Sequence, residues 1–261
     1  MHLYDSHCHL SLTSEKLNVP EEEIISRALE NNISTLVNIC TSFEDYPAVL
    51  KTSEANTNVY ATFGIHPHSA DKYQNITASE IIKTINNHEK IVAIGECGLD
   101  LYYENSALDS QLNVFEEHIK AAKISNLPLV IHSRSADRET VKTLEKYKNA
   151  ESCFLMHCYT GDINFTKKLL DLDVFFSFSG ILTFKNADNI VESLKIIPNN
   201  RLLVETDSPF CTPEPYRGKI NEPSYIVHTV EKLAQLKNVS KEIIMESTTK
   251  NFKKLFCLNQ I

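Results

Sequence analysis

Short runs rich in β-branched and aromatic residues recur along the chain at Leu3–Ser6, Thr35–Ile39, Val59–Phe63, Ile91–Ile94, Leu129–Ile131, Cys153–Met156, Val174–Phe178 and Leu202–Glu205. Their length and composition predict buried strands. Longer segments between them read as helices with start signals. Pro20 followed by Glu21, Glu22 and Glu23 places proline and acids in a first turn, where the free N–H groups favour both. Thr77-Ala78-Ser79-Glu80 is a capping box. Leu112, Phe115, Ile119 and Ala122 recur at helical spacing between Ser106 and Asn126, and a last helix runs from about Ser240 to Phe256.

Strand starts recur at the length of a βα unit, and eight such units predict a distorted (β/α)8 TIM barrel with an extra C-terminal helix. An open doubly wound sheet is the rival architecture. Six glycines favour the barrel: Gly64, Gly95, Gly98, Gly161, Gly180 and Gly218 all lie at or beyond C-terminal strand ends. The helix-to-strand turns have none, so one face is marked as functional.

Composition narrows the class. With 261 residues, 42% hydrophobic and 23% charged, the chain is expected to be one globular domain over 1–261. No apolar stretch approaches membrane-spanning length. Seven cysteines without a Cys-x-x-Cys pair, and a start without a basic or apolar leader, predict a cytoplasmic protein. The net charge of −8 excludes a nucleic-acid footprint over the whole surface. An anionic substrate must therefore meet local cations, either bound metals or a small basic cluster.

Candidate chemistry collects on the glycine-marked face. His7 and His9 end strand one, His66 and His68 follow strand three, and Glu96 follows strand four. His132, His157 and Asp207 follow strands five, six and eight. Strand alternation points His7 and His9 into the barrel mouth and Cys8 towards the helices. A lone strand histidine is commonly structural, but four histidines and two acids ending five strands of one barrel are costly to bury unpaired. A metal centre accounts for them. Imidazole and carboxylate suit Zn²⁺ or Mn²⁺, with Mg²⁺ where waters complete the shell. Six ligands exceed one zinc's usual four, so two divalent metal ions bridged by Glu96 fit better. Cys8, Cys97 and Cys158 each neighbour a ligand and, by alternation, are expected to pack as small buried residues. Arg217 and Lys219 flank Gly218 beyond strand eight as a candidate phosphate clamp. Tyr102 and Tyr103 offer a stacking face to a base.

Asp5-Ser6-His7-Cys8-His9-Leu10, Gly64-Ile65-His66-Pro67-His68, Gly95-Glu96-Cys97-Gly98-Leu99-Asp100, Ile131-His132 and His157-Cys158 follow one another along the chain. Phe178-Ser179-Gly180, Glu205-Thr206-Asp207-Ser208-Pro209, Arg217-Gly218-Lys219 and Asn251-Phe252 complete the series. In that order and spacing the sequence resembles the TatD family of metal-dependent deoxyribonucleases, within the amidohydrolase superfamily. The resemblance implies hydrolysis of DNA phosphodiester bonds, as a 3′→5′ exonuclease in some members, with single-stranded DNA or duplex ends as substrate. It implies no membrane and no obligate protein partner. It also implies one metal on His7, His9, Glu96 and Asp207, and a second on Glu96, His132 and His157. Asp207, Glu96 and His66 would serve catalysis, with His66, Arg217, Lys219 and Tyr102 on the substrate. Two positions depart from the family: Arg134-Ser135-Ala136 lacks a common acidic residue after the arginine, and Cys211 stands where an aliphatic residue is usual. A D-aminoacyl-tRNA ester hydrolase, or a small-molecule amidohydrolase or lactonase using the same metals, are the alternatives. Glu96 at the strand-four end, where many of the latter carry a carboxylated lysine, weighs against the small-molecule reading.

Overall fold

Eight parallel strands pair in sequence order, β1 (Leu3–Cys8), β2 (Ile33–Asn38), β3 (Val59–Phe63), β4 (Ile91–Asp100), β5 (Leu129–Arg134), β6 (Phe154–Met156), β7 (Phe175–Phe178) and β8 (Leu202–Val204). This computed structural model describes residues 2–86, 88–148 and 153–258. Helices α1 (Leu10–Leu17), α2 (Glu21–Glu30), α3 (Tyr46–Ala55), α4 (Ala78–Ile85), α5 (Leu108–Ser125), α6 (Asp137–Glu145), α7 (Ile163–Leu170), α8 (Asp188–Ile196) and α9 (Ile226–Lys237) lie between or after the strands. The last, α10 (Lys241–Leu255), is the extra C-terminal helix. No described helix is long and apolar enough to cross a membrane.

The local signals act as their chemistry demands. Thr77 and Glu80 form both halves of the capping box on α4, Pro20 precedes three glutamates in the first turn of α2, and the Ser240 hydroxyl accepts from the Ile243 N–H at the start of α10. Each satisfies or complements N–H groups that a helix start leaves unpaired.

β4 departs furthest from expectation. It runs on to Asp100 instead of stopping at Ile94. Gly95, with φ of 125°, lies where the β4–β5 register shifts between Ile94 and Cys97, and Gly98, with φ of 137°, pairs with His132 in the resumed ladder, so neither ends the strand. A Cβ on Gly98 would lie 2.0 Å from the His132 carbonyl oxygen, so only glycine lets the two strands approach there. The extension carries Glu96 and Asp100 over the barrel mouth.

A large apolar layer lies between the strands and the surrounding helices. A second cluster fills the barrel interior, where Tyr4, Val37, Val130, Leu155, Phe175 and Leu203 pack with Phe252, Leu255 and Phe256. The last three come from the end of the chain. Asn251 Nδ2 donates to the carbonyls of Asn199 and Leu202, both at 2.8 Å, which holds α10 across the N-terminal ends of the strands. One end of the barrel is thus a closed apolar floor. Chemistry is left to the other.

Candidate metal centre

Closure of the barrel assembles the first half of the site. β1 and β8 meet through a single bridge, Cys8 to Ser208, instead of a regular ladder. Backbone hydrogen bonds continue the seam upward, from Asp207 N to His7 O and from His9 N to Ser208 O, each 2.9 Å. Below them the buried Asp5 carboxylate accepts from Thr206 N at 2.9 Å and Thr206 Oγ1 at 2.5 Å. Burial pushes Asp5 up to about 7, against those hydrogen bonds. The seam puts Asp207 Oδ1 3.7 Å from His7 Nε2 and 3.6 Å from His9 Nε2.

Glu96 forms the centre. Its Oε1 lies 2.9 Å from His157 Nε2, 3.1 Å from His132 Nδ1 and 3.5 Å from His66 Nε2, and its Oε2 lies 3.3 Å from His7 Nε2. Two further carboxylates orient the histidines from outside. Asp100 Oδ2 is 3.2 Å from His132 Nε2 and 2.9 Å from His68 Nε2. Glu205 Oε1 accepts from Cys158 N at 2.6 Å and lies 3.4 Å from His157 Nδ1, while its second oxygen accepts from Ser177. Carboxylates behind imidazoles set ring orientation and tautomer in metal sites.

The electrostatics call for positive charge. Burial opposes ionisation of Glu96, yet His157, His66 and His132 hold it well below the usual carboxylate range. Burial likewise opposes ionisation of Asp207, and His9, His7 and His157 bring it down to about 2. Desolvation disfavours the charged forms of His9, His132 and His157, but the carboxylates around them reverse the sign and raise all three. In His7 and His66 burial wins: His7 is lowered, and His66 falls to about 3.

These residues fit divalent ions. His7 is fully buried with hydrogen-bond partners on neither ring nitrogen; its Nε2 is at ion-pair distance from Glu96 but outside hydrogen-bonding geometry. The neutral ring therefore keeps a lone pair for a Lewis acid. Donors about 2.0–2.1 Å from one tetrahedral ion lie roughly 3.3 Å apart, and the separations around Glu96 and Asp207 run from 2.9 to 3.7 Å. His7, His9 and Asp207 form one group able to hold a cation, and His66, Glu96 and His132 form another.

All six residues expected as ligands are thus brought together, and His66 stands with them. The cavity above, of about 940 Å³, is lined by His9, His66, Glu96, His132, His157 and Asp207, and also by Arg134, Tyr103 and Phe210. Arg217 and Lys219 are elsewhere. The Arg217 guanidinium stacks on Phe184 at 3.7 Å, the Lys219 ammonium lies 5.2 Å from the Tyr216 ring, and neither lines the cavity. Tyr102 sits outside the lining too, beneath the Arg134 guanidinium at 4.2 Å, with Tyr103 at 4.6 Å on the cavity side.

Sequence reasoning gave no role to Asp100, Glu205 or Arg134, and placed His68 on this face without its partner Asp100. Asp100 shares a face of β4 with Glu96, four residues earlier, and Glu205 precedes Asp207 by two residues just past β8, so a two-residue period carried a signal for both. Cys8 and Cys97 pack in the core as expected, but Cys158 is a correction. β6 ends at Met156, and the left-handed backbone of Cys158 (φ 43°) breaks the alternation that would have turned its thiol inward to the core. It lines the cavity instead.

A (β/α)8 barrel carrying this donor set at its C-terminal face is a metal-dependent hydrolase. The family described as TatD related DNase matches residues 4–257, and the chain belongs to the TatD family. It is 40% identical over 260 residues to the metal-dependent hydrolase YabD of Bacillus subtilis (98% of this chain, 100% of the relative). It is 35% identical over 257 residues to the metal-dependent hydrolase YcfH of Escherichia coli K12 (98% and 96%). Among solved structures, the fold superposes on YjjV, a TatD homologue of E. coli K12, with a TM-score of 0.88 at 24% identity (98% of both chains). The phosphotriesterase homology protein of E. coli, complexed with phosphate in its active site, superposes with a TM-score of 0.69 at 16% identity (98% of both).

Proposed function

We propose that the protein hydrolyses phosphodiester bonds in DNA, as a 3′→5′ exodeoxyribonuclease using two divalent ions. The observation that carries this reading is one cavity holding both the Glu96-centred donor set and the Arg134 guanidinium, the latter backed by Tyr102 and Tyr103. The family description as DNases, and the phosphate in the active site of a protein of the same fold, support it. His7, His9, Glu96 and Asp207 would hold one ion, and Glu96, His132 and His157 the other. Ions held there make water acidic enough to supply a nucleophile near neutral pH and polarise a phosphoryl oxygen.

The chain's own groups do the rest. Asp207, ionised by its histidine neighbours, accepts the proton of the attacking water and returns it to the leaving 3′ oxygen. His66 Nδ1 accepts from the His68 backbone N–H at 3.2 Å, which leaves the proton of the neutral ring on Nε2, aimed at the site. Because burial keeps this ring from titrating near neutrality, it donates to a phosphate oxygen without changing charge. Arg134 supplies the cation that an acidic protein needs at the mouth. Tyr103 and Phe210 offer rims for a base.

Metal-reconstituted protein incubated with 3′- and 5′-labelled single-stranded DNA, RNA and a D-aminoacyl-tRNA tests the reading. Mononucleotides released from the DNA 3′ end are expected. Asp207→Asn should cut kcat by roughly 10²–10⁴-fold with substrate affinity nearly intact. Deacylation of the tRNA without DNA turnover would overturn the nuclease assignment.

A further inference from the structure

Cys158 and Cys211 come from loops after different strands, yet both line the cavity beside Asp207. Their Sγ atoms lie 3.7 Å apart. Cys211 Sγ is also 3.2 Å from Asp207 Oδ2, and Cys158 Sγ is 3.1 Å from Ser179 Oγ. Both residues are held in left-handed backbone, φ 43° and 55°, conformations that are strained for a non-glycine residue and persist only where surroundings enforce them. For Cys158 one enforcing contact is the 2.6 Å hydrogen bond from its N–H to Glu205.

We propose that Cys158, Cys211 and Asp207 form a separate binding site for a thiophilic divalent ion such as Cd²⁺ or excess Zn²⁺, at the edge of the hydrolytic centre. Two thiolates on one tetrahedral ion, each about 2.3 Å from it, lie roughly 3.8 Å apart. The pair already has that spacing. A carboxylate oxygen against one sulfur supplies a third donor, and the cavity leaves access for water as a fourth. Sulfur selects the ion, because Mn²⁺ and Mg²⁺ prefer harder donors, oxygen above all, whereas cadmium and zinc accept thiolate. Binding displaces one proton from each thiol to solvent.

The functional consequence rests on the proposed role of Asp207. One of its oxygens faces His7 and His9 and the other faces Cys211. An ion between the sulfurs ties this carboxylate to a second cation and takes it from the attacking water. Thiophilic ions therefore inhibit through a site that hard ions leave empty.

The test uses the reduced full chain with its hydrolytic centre first saturated with Mn²⁺. Titration with CdCl₂ should produce a thiolate-to-cadmium charge-transfer band in the ultraviolet that saturates with a single ion per chain. Cys158→Ser and Cys211→Ser should each abolish it, while Cys153→Ser and Cys257→Ser, which remove the exposed thiols, should leave it. A band that survives loss of Cys158 or Cys211, or the absence of a band in the wild type, overturns the site. The band reports on sulfur alone. If it behaves as expected while Asp207→Asn still turns over DNA, the thiol site stands and the assignment of Asp207 as base falls.

Discussion

The floor and the mouth of the barrel are built from the same strand faces, two residues apart. On β5, β6 and β8 the floor residues Val130, Leu155 and Leu203 are followed two positions on by His132, His157 and Glu205. At the floor, burial stabilises directly, because apolar surface leaves water and meets Phe252, Leu255 and Phe256. At the mouth, the same burial disfavours every charge. The carboxylates stay ionised there only because imidazoles, and the cations they would hold, surround them. One end of the molecule is built for stability and the other for binding positive charge.

Substitutions at the two ends should therefore separate cleanly. Glu96→Gln has the largest expected effect on function, because it neutralises the group that approaches four imidazoles. Elemental analysis should show loss of metal, and phosphodiester turnover should fall by about 10³-fold or more. Full metal content and turnover in the Glu96→Gln variant would erase the contrast. Phe252→Ala should do the converse. It should cost about 3–5 kcal/mol in urea unfolding, with metal content and activity of the folded fraction unchanged; parallel losses of both would show that floor and mouth are coupled.

Between the ends lies His118, buried on α5, with Nδ1 donating to Val114 O at 2.7 Å and Nε2 accepting from Ile65 N at 3.1 Å, next to His66. Burial lowers it from 6.5 to about 4. Between these values the unfolded chain takes up the proton before the folded one does. Its contribution is thus complete above pH 6.5 and lost as pH falls towards 4, by about 3 kcal/mol in all. The difference in unfolding free energy between wild type and His118→Gln, at fixed metal supply, should shrink across that window. A difference independent of pH would remove His118 as its source. The smallest effect is expected from Asp100→Asn, which leaves the metal donors in place but loosens the ring of His132. Metal affinity should drop by roughly 10–100-fold, and an unchanged affinity would mean that packing alone orients that ring.

Much of this organisation is written locally. Branched runs marked all eight strands, and start signals or apolar spacing marked α2, α4, α5 and α10, though not α9, since each depends on neighbours a few residues away. Six metal-binding candidates were legible because a strand's two-residue period assigns a face without knowledge of its partner. The extent of β4 was hidden by Gly95 and Gly98, which resemble strand terminators, but Gly95 sits in a register shift against β5 and Gly98 in the ladder that resumes beyond it. On β1, Tyr4 enters the floor and His7 the mouth although they stand three positions apart, an odd spacing, because the pairing shifts between Asp5 and Cys8.

The sequence by itself therefore determined the fold class and six of the histidines and acids that meet at the mouth, but not Asp100 and Glu205 behind them. Only the tertiary structure decided how those groups are paired. Asp207 reaches His7 and His9 through a seam of side-chain and backbone hydrogen bonds that joins residues about two hundred positions apart. Arg134 faces the cavity while Arg217 turns onto Phe184, though both read alike as arginines after a strand. Cys158 meets Cys211 because two loops leave the barrel side by side. Periodicity encodes which face a residue takes; register, bulges and closure decide which residues then touch, and those depend on contacts far apart in the chain.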